Sequence, residues 1–543
     1  GEKMIRITQV KMPITHTYDD LLIRTAKLLR IPDGQLRGLH IVKQSIDARK
    51  REDIRYVYVL DVEVDREKEV IRRCRNKNAA LYSSQPYVFP YPGDEVLTHP
   101  PVVVGSGPAG LFCSLMLARH GFRPILLERG GPVEERMEKV DRFWKTGELD
   151  EECNVQFGEG GAGTFSDGKL NTLVKDPAGR NQMVLKIFAQ YGADPSICYM
   201  NKPHIGTDEL QRIIPAMRQA IIQAGGQVRF HAKVTDLSVE KGRINGVEVN
   251  GNEFLPSQAV VFAVGHSARD TFRMLLKRQV PMEAKAFAVG LRVQHPQKMI
   301  DESQYGSEAA QILGPASYKV THQCVNGRGV YSFCMCPGGY VVNASSQKGR
   351  LAVNGMSYHA RDGKNANSAL IVTVKPEDFG GGGPLAGVEF QERMEEAAYQ
   401  AGKGKIPVQL YGDFCEGRVS QAYGQVEPAF QGETAFADLN QILPKYAAES
   451  IKEGMESFGN IIEGFNRPDA VLAGVESRTS SPIRISRDKS MESDVKGLFP
   501  CGEGAGYAGG ITSAAMDGLK TAEEICRRFK PFDQKENEKQ KAK

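Results

Sequence analysis

The stretch Val102-Val-Val-Gly-Ser-Gly-Pro-Ala-Gly-Leu-Phe-Cys-Ser-Leu-Met-Leu-Ala118 decides the fold. It reads as a strand, a tight turn and a helix. Gly105 permits the turn, Gly107 lets the backbone approach a pyrophosphate, and Gly110 lets the helix pack close to a sheet. A second strand, Pro124-Ile-Leu-Leu-Glu128, ends in an acid 18 residues beyond Gly110, where a ribose hydroxyl would be held. The helix turns its free N–H groups toward the phosphates. FAD and NAD share this half-site, so the loop alone leaves both open.

Outward from this motif, apolar runs (102–104, 124–127, 259–264) alternate with helical patterns, which favours a parallel sheet covered on both faces. The chain has 543 residues, too many for one core, so two or three domains are expected. Residues 4–83 read as a small α+β unit: Met4–Val10 alternates like a strand, Tyr18–Leu29 has helical spacing, and Ile54–Val64 alternates strongly. Residues 84–101, with five prolines, read as a linker. Val228–Val249 suggests a meander, Phe287–Val342 an antiparallel sheet, and 531–543 a disordered tail. A net charge of +4 argues against a chain built to coat nucleic acid or membrane. No apolar run approaches the roughly 20 residues that span a bilayer. Ten cysteines without framework spacing fit reduced thiols, and a cytoplasmic location is the expectation.

Five further segments carry a resemblance: Ser45-Ile-Asp-Ala-Arg-Lys50, Gly158-Glu-Gly-Gly-Ala-Gly-Thr-Phe-Ser-Asp-Gly-Lys-Leu170, Ser332-Phe-Cys-Met-Cys-Pro-Gly-Gly339, Gly474-Val-Glu-Ser-Arg-Thr-Ser-Ser-Pro-Ile-Arg484 and the glycine-rich 497–518. With these the chain resembles the two-dinucleotide-binding-fold (glutathione-reductase-like) superfamily of FAD-dependent oxidoreductases, and within it a branch of FAD-dependent or NAD(FAD)-utilising dehydrogenases. The resemblance implies an α/β fold: an FAD-binding Rossmann-like domain (102–286 and 471–530), an inserted β-rich substrate-type domain (287–470) and the small N-terminal α+β domain (1–83). It implies FAD contacts at Gly105, Gly107, Pro108, Ala109 and Gly110, with Glu128 and Arg129, for the ADP half. Gly161, Ala162 and Gly163 would run beside pyrophosphate and flavin, Ala263 and Gly265 would pass near the cofactor, and the Val234 backbone would meet adenine. Gly502 and Glu503 stand where Gly-Asp is usual, and Gly510 and Ile511 open a helix toward the flavin. Independently, four glycines in Gly158–Gly163 can bring backbone N–H groups against a ring or phosphate.

A third cluster, Gly380–Gly383, follows the strand-like Ala369–Val374, but Lys375-Pro-Glu-Asp-Phe intervenes, so a separate NAD(P)H loop fails in register. NAD(P)H is expected only as a transient electron donor. Cys334 and Cys336 are the one close cysteine pair, with His322 and Cys324 upstream across the hairpin turn Val325-Asn-Gly-Arg-Gly329. A loop of two or four residues puts the two pairs on opposite faces and an odd loop reverses this; no metal is expected. A Cys334–Cys336 disulfide is awkward, because such residues stand about 6.6 Å apart along a strand. The two cysteines therefore read either as packing residues near the site or as redox or substrate-contact thiols. His266, directly after Gly265, is the histidine best placed to face a flavin pocket, with a satisfied structural histidine the alternative. Arg292 and Arg478 are candidate cations for an anionic or carbonyl substrate group, with internal ion pairs the alternative. Cys501 sits either in the core or under the ring. The reading is an FAD-dependent oxidoreductase (dehydrogenase or reductase) passing hydride between flavin and a small organic substrate. Basic runs at Arg49–Arg51 and Arg72–Lys77 motivate a flavin-dependent enzyme acting on RNA as a rival; nucleic acid is otherwise not an expected partner. A redox-sensing or structural flavoprotein is the other.

Overall fold

The computed structural model describes residues 3–533. The N-terminal unit runs β1 (Lys3–Pro13), α1 (Tyr18–Leu29), β2 (Leu36–Asp47), β3 (Arg55–Val64), α2 (Glu67–Cys74), β4 (Ala79–Ser83). Its antiparallel sheet has the order β2-β3-β1-β4, a βαββαβ arrangement. Alternation explains the burial: Ile5 and Ile7 of β1, and Leu60 and Val62 of β3, are buried in one apolar cluster with Leu21 and Leu29 of α1. Thr17 and Asp20 form a capping box that fixes where α1 begins. In the first basic run, Arg49 closes on Asp47. Two bonds of 2.8 Å join β2 to the rest of the molecule: the Gln44 N–H donates to the Tyr199 carbonyl, and the Asn201 N–H donates to the Gln44 carbonyl.

The main domain starts with β5 (Val102–Val104), α3 (Pro108–Arg119), β6 (Ile125–Leu127), β7 (Gln227–Arg229) and β8 (Val260–Phe262). Every residue from Ala109 to Ala118 of α3 is buried, which is why this helix shows no polar face in the sequence. The expected meander divides. Val228 pairs with Leu126 and so belongs to the parallel sheet, while residues 234–240, 243–249 and 253–256 form the antiparallel three-stranded unit.

The insert holds β9 (Phe287–Pro296), β10 (Gly329–Asn343), β11 (Asn365–Val374), α4 (Ala386–Ala401) and β12 (Val471–Glu476). The four strands belong to a nine-stranded sheet in which β10, β11, β9 and β12 lie side by side. β9 and β11 are buried at nearly every position, with Arg292, Gln294, Asn367 and Ser368 among the buried residues, so neither strand has a solvated face. β12 pairs with β9, which carries the insert's sheet past residue 470, where the sequence puts its end. β11 is antiparallel to both neighbours, and the following Gly381 and Gly382 meet nothing within 4 Å, a setting unlike a dinucleotide turn.

The chain then returns. β13 (Leu498–Pro500) lies beside β8, completing a parallel sheet of order β13-β8-β5-β6-β7, and α5 (Ile511–Arg528) packs on α3. The linker is tied down where Glu95–Val96 pairs with Phe529–Lys530. Residues 531–533 are tied as well: Phe532 and Asp533 donate to the Gly121 carbonyl, and Asp533 pairs with Arg123. The rest of the expected disordered tail lies outside the described residues. Among the described residues no helix is long and apolar enough to cross a membrane.

Candidate active site

A cavity of about 520 Å³ runs from the ends of β5, β6 and β8 to the inner face of the insert. Its first wall is made of glycines that are distant in sequence. At Gly105, where φ is +101°, a Cβ would stand 2.1 Å from the Ala263 carbonyl oxygen; at Gly110 it would stand 1.7 Å from that of Gly105. Those two positions are glycine for packing. Gly107 differs: its φ of −70° suits any residue, and a Cβ would meet only Gly161 Cα, at 3.7 Å, and otherwise stand in the cavity. A Cβ on Gly161 would come within 2.8 Å of Gly107 Cα, one on Gly163 within 2.9 Å of Ile511 Cγ1, and one on Gly518 within 2.2 Å of the Ala109 carbonyl oxygen. The glycine segments at 105–110, 158–163 and 502–518 are therefore one surface.

Arg136 holds the middle segment. Its guanidinium is 0% exposed and donates to the carbonyls of Asn154, Val155, Gly158, Glu159 and Gly161 at 2.7–3.4 Å. All five partners are neutral, so a positive charge lies buried beneath the loop; burial lowers its pKa to about 10. Nothing local in the sequence marks this residue, which is one more arginine on an amphipathic helix (Val133–Thr146).

An elongated dinucleotide fits this wall: bare glycine backbone, two helix N-termini and a buried cation all face where phosphate would lie. Of the expected contact residues, all but Gly110 and Gly502 line the cavity. Gly110 packs α3 on the turn, and Gly502 is set against Ala109 with its N–H donating to Asp517 at 2.8 Å. Glu128 accepts from the Ser106 hydroxyl and N–H and from the Gly130 N–H, so it pins the turn while its carboxylate edges the cavity. Arg129 is engaged elsewhere, in bonds of 2.8 Å to Glu152 and Asp270 and stacked on Phe157.

Glu503 lines the cavity without a hydrogen bond to its carboxyl among the described residues, and burial pushes its pKa up to about 7. A raised carboxyl pKa means the folded state holds the proton more tightly. Stability of the cofactor-free protein should then fall as pH rises from 4.5 through about 7. Glu503→Gln should remove that part of the slope, about 3 kcal/mol at most, as read from denaturant midpoints of both proteins across this range.

The second wall belongs to the insert. Cys334 and Cys336 are separated by an irregularity in β10 between Phe333 and Cys336, with Cys334 in the left-handed region at φ +46°. Cys334 is exposed while Cys336 is 1% exposed, its thiol donating to the Cys334 carbonyl at 3.3 Å. The turn below them holds five residues, 324–328, so the even-loop register does not apply; His322 and Cys324 meet Glu453 instead. Burial raises the Cys336 thiol above its ordinary value. His266 is held neutral, down to about 3, by burial and by Arg478 and Arg269. Cys501 is fully buried, its sulfur accepting from Thr521 at 3.3 Å, and it also lines the floor of the cavity.

Both arginines singled out in the sequence have internal partners. Arg292, 1% exposed, pairs with Glu476 at 2.9 Å and donates to Asn367 and the Cys334 carbonyl. Arg478 shares Glu395 with Arg269, all three fully buried. The cations that sequence reading missed are Lys169 and Arg361, gathered around Asp167, and Lys202 and Lys319 on the same cavity.

Residues 286–479 match a family profile described as "FAD-dependent protein, C-terminal domain-like", and residues 206–323 match "FAD dependent oxidoreductase". Residues 4–63 match a domain of unknown function. A protein of Clostridium beijerinckii is 46% identical over 530 residues, covering 97% of this chain and 99% of that one. Among solved structures, the chain is similar to a geranylgeranyl bacteriochlorophyll reductase-like protein of Thermoplasma acidophilum (12% identity, 79% of this chain and 78% of that one, TM-score 0.35). It is also similar to the FrdA subunit of E. coli quinol fumarate reductase (13% identity, 79% and 70%, TM-score 0.35). At these scores the likeness says nothing of chemistry. With its full-length C. beijerinckii relative, and by the flavoprotein profiles it matches, the chain belongs to a family of FAD-dependent oxidoreductases and its cofactor is FAD.

Proposed function

We propose that the protein is a dehydrogenase or reductase of the two-dinucleotide-fold type, acting on a small organic molecule held between the glycine wall and the insert. One observation carries this reading: three glycine segments and two helix N-termini converge on a cavity whose far side is lined by polar and charged side chains of another domain. Gly107, Pro108 and Ala109 hold the pyrophosphate, Glu128 the ribose, and the Val234 backbone the adenine. Gly161–Gly163, Glu503, Gly510 and Ile511 hold the flavin end. Bound there, FAD supplies hydride exchange with the substrate. The N–H groups at the start of α5 would set partial positive charge on the flavin end of the cavity. Neutral His266 adds no charge. β10 closes the opposite side and limits the access of water. The electron donor and acceptor are small molecules, with a nicotinamide visiting transiently.

The test is a visible spectrum of the purified protein, then anaerobic photoreduction and reoxidation by quinones, enones and imines. Flavin bands, reduction and reoxidation by one class are expected. No flavin bands after FAD is added would sink the reading, and a reduced flavin that no class reoxidises would favour a sensor.

A further inference from the structure

We propose that the substrate is an organic carboxylate, received by Lys169 and Arg361; this rests on reading the cavity as the place of turnover. Asp167 is 3% exposed and shared by two cations. Arg361 grips it through Nε at 3.0 Å and Nη2 at 2.6 Å, Lys169 Nζ stands 3.0 Å away, and Ser357 donates its hydroxyl. One carboxylate thus faces two positive charges. The other partner of Lys169 is the neutral Met335 carbonyl. The adjoining His204 adds no charge, since burial and Arg361 hold it down to about 4. The trio carries one unit of positive charge that no other described carboxylate offsets by a direct bond.

The trio faces the cavity beside the Cys334–Cys336 segment, and the Nη1 group of Arg361 has no partner among the described residues. Lys202 and Lys319 line the same cavity, exposed and without an ion pair among the described residues. On the same cavity the hydroxyl of Tyr318, 5% exposed, sits near Ser368 without forming a hydrogen bond of good geometry. A half-buried cation in excess is expensive to keep without a counter-charge, and a guanidinium edge with a nearby ammonium is the fixed geometry that receives a carboxylate. The Arg292–Glu476 pair, neutral and buried, lacks this excess. Asp167 and Lys169 follow the 158–163 glycine segment on the same loop, whereas Arg361 comes from the insert and Lys169 also bonds to β10, so the trio stands where the two walls meet.

The experiment titrates the FAD-loaded protein calorimetrically with succinate and benzoate, and with succinamide and benzamide. At least tenfold tighter binding of one carboxylate than its amide is expected. Arg361→Met and Lys169→Met should each weaken carboxylate binding at least tenfold at unchanged FAD content, and Arg361→Lys should restore part of it. Equal binding of acid and amide, no binding of either acid, or unaltered binding in both methionine variants overturns the proposal. Loss of FAD from Arg361→Met also overturns it, because the trio would then serve the cofactor. If Arg361→Met does not fold, the exposed pair Lys202→Met/Lys319→Met reports instead: a weakening of threefold or more supports the proposal and none overturns it. Carboxylate binding by a protein that takes up no FAD would sink the proposed function alone.

Discussion

Gly107→Val yields a folded protein that purifies colourless. A Cβ at this position meets only one carbon, at 3.7 Å, and the backbone is outside the left-handed region, so the fold tolerates the side chain. The side chain stands instead where the N–H groups of α3 converge, and it displaces the pyrophosphate from the helix end. FAD retained through purification should fall at least tenfold, read as flavin absorbance per protein, while the apoprotein's melting temperature stays within a few degrees of wild type. Gly110→Ala should do the opposite. Its methyl would need the space of the Gly105 carbonyl oxygen, 1.7 Å away, so the loss is of stability, about 2–4 kcal/mol. A colourless Gly110→Ala of normal stability, or a yellow Gly107→Val, would refute this division of labour within one motif.

Glu395→Gln costs about 3–5 kcal/mol, the largest stability effect expected of any single change outside the apolar core. Glu395 projects from α4 and is the shared counter-charge of Arg269, which reaches it at 2.5 and 3.2 Å, and Arg478, at 3.0 Å. The amide leaves two guanidiniums in the interior with no anion between them. Burial alone would raise the pKa of Glu395, but the two arginines outweigh it and hold the carboxyl down to about 2. Its contribution is therefore complete above pH 4.5 and fades as pH falls toward 2. Chemical denaturation should show wild type losing stability over that interval and Glu395→Gln losing less. Glu389→Gln, exposed on the same helix, should change stability by less than about 0.5 kcal/mol. A similar loss in both variants would show that the helix matters and the charge does not.

What could be read from the sequence was what local chemistry dictates. The turn at Gly105–Gly110 is written in consecutive residues, because a strand, a positive φ and a close helix need those residue types in that order. The kinship of the later glycine segments was legible through resemblance, although only packing reveals that Gly163 touches Ile511 and Gly518 touches Ala109. Charges were not legible. Arg292 and Arg478 look free along the chain, but Glu476 lies on a neighbouring strand and Glu395 on a distant helix. Asp167 and Arg361 are 194 positions apart, and no periodicity relates them. The placement of the cysteine pair was legible only in part, because a strand's alternation holds only while its ladder is regular, and β10 breaks between Phe333 and Cys336.

The two hydrogen bonds from Gln44 to Tyr199 and Asn201 end one residue short of Lys202, on the lip of the cavity. The N-terminal module thus braces the segment that carries Lys202 to the cavity, though it contributes nothing to the cofactor's bed. Exchange of that module between relatives would retune admission while leaving the redox machinery intact. Amputation would not be silent either: a chain lacking residues 1–95 should still hold its flavin but admit ligands through a slacker opening.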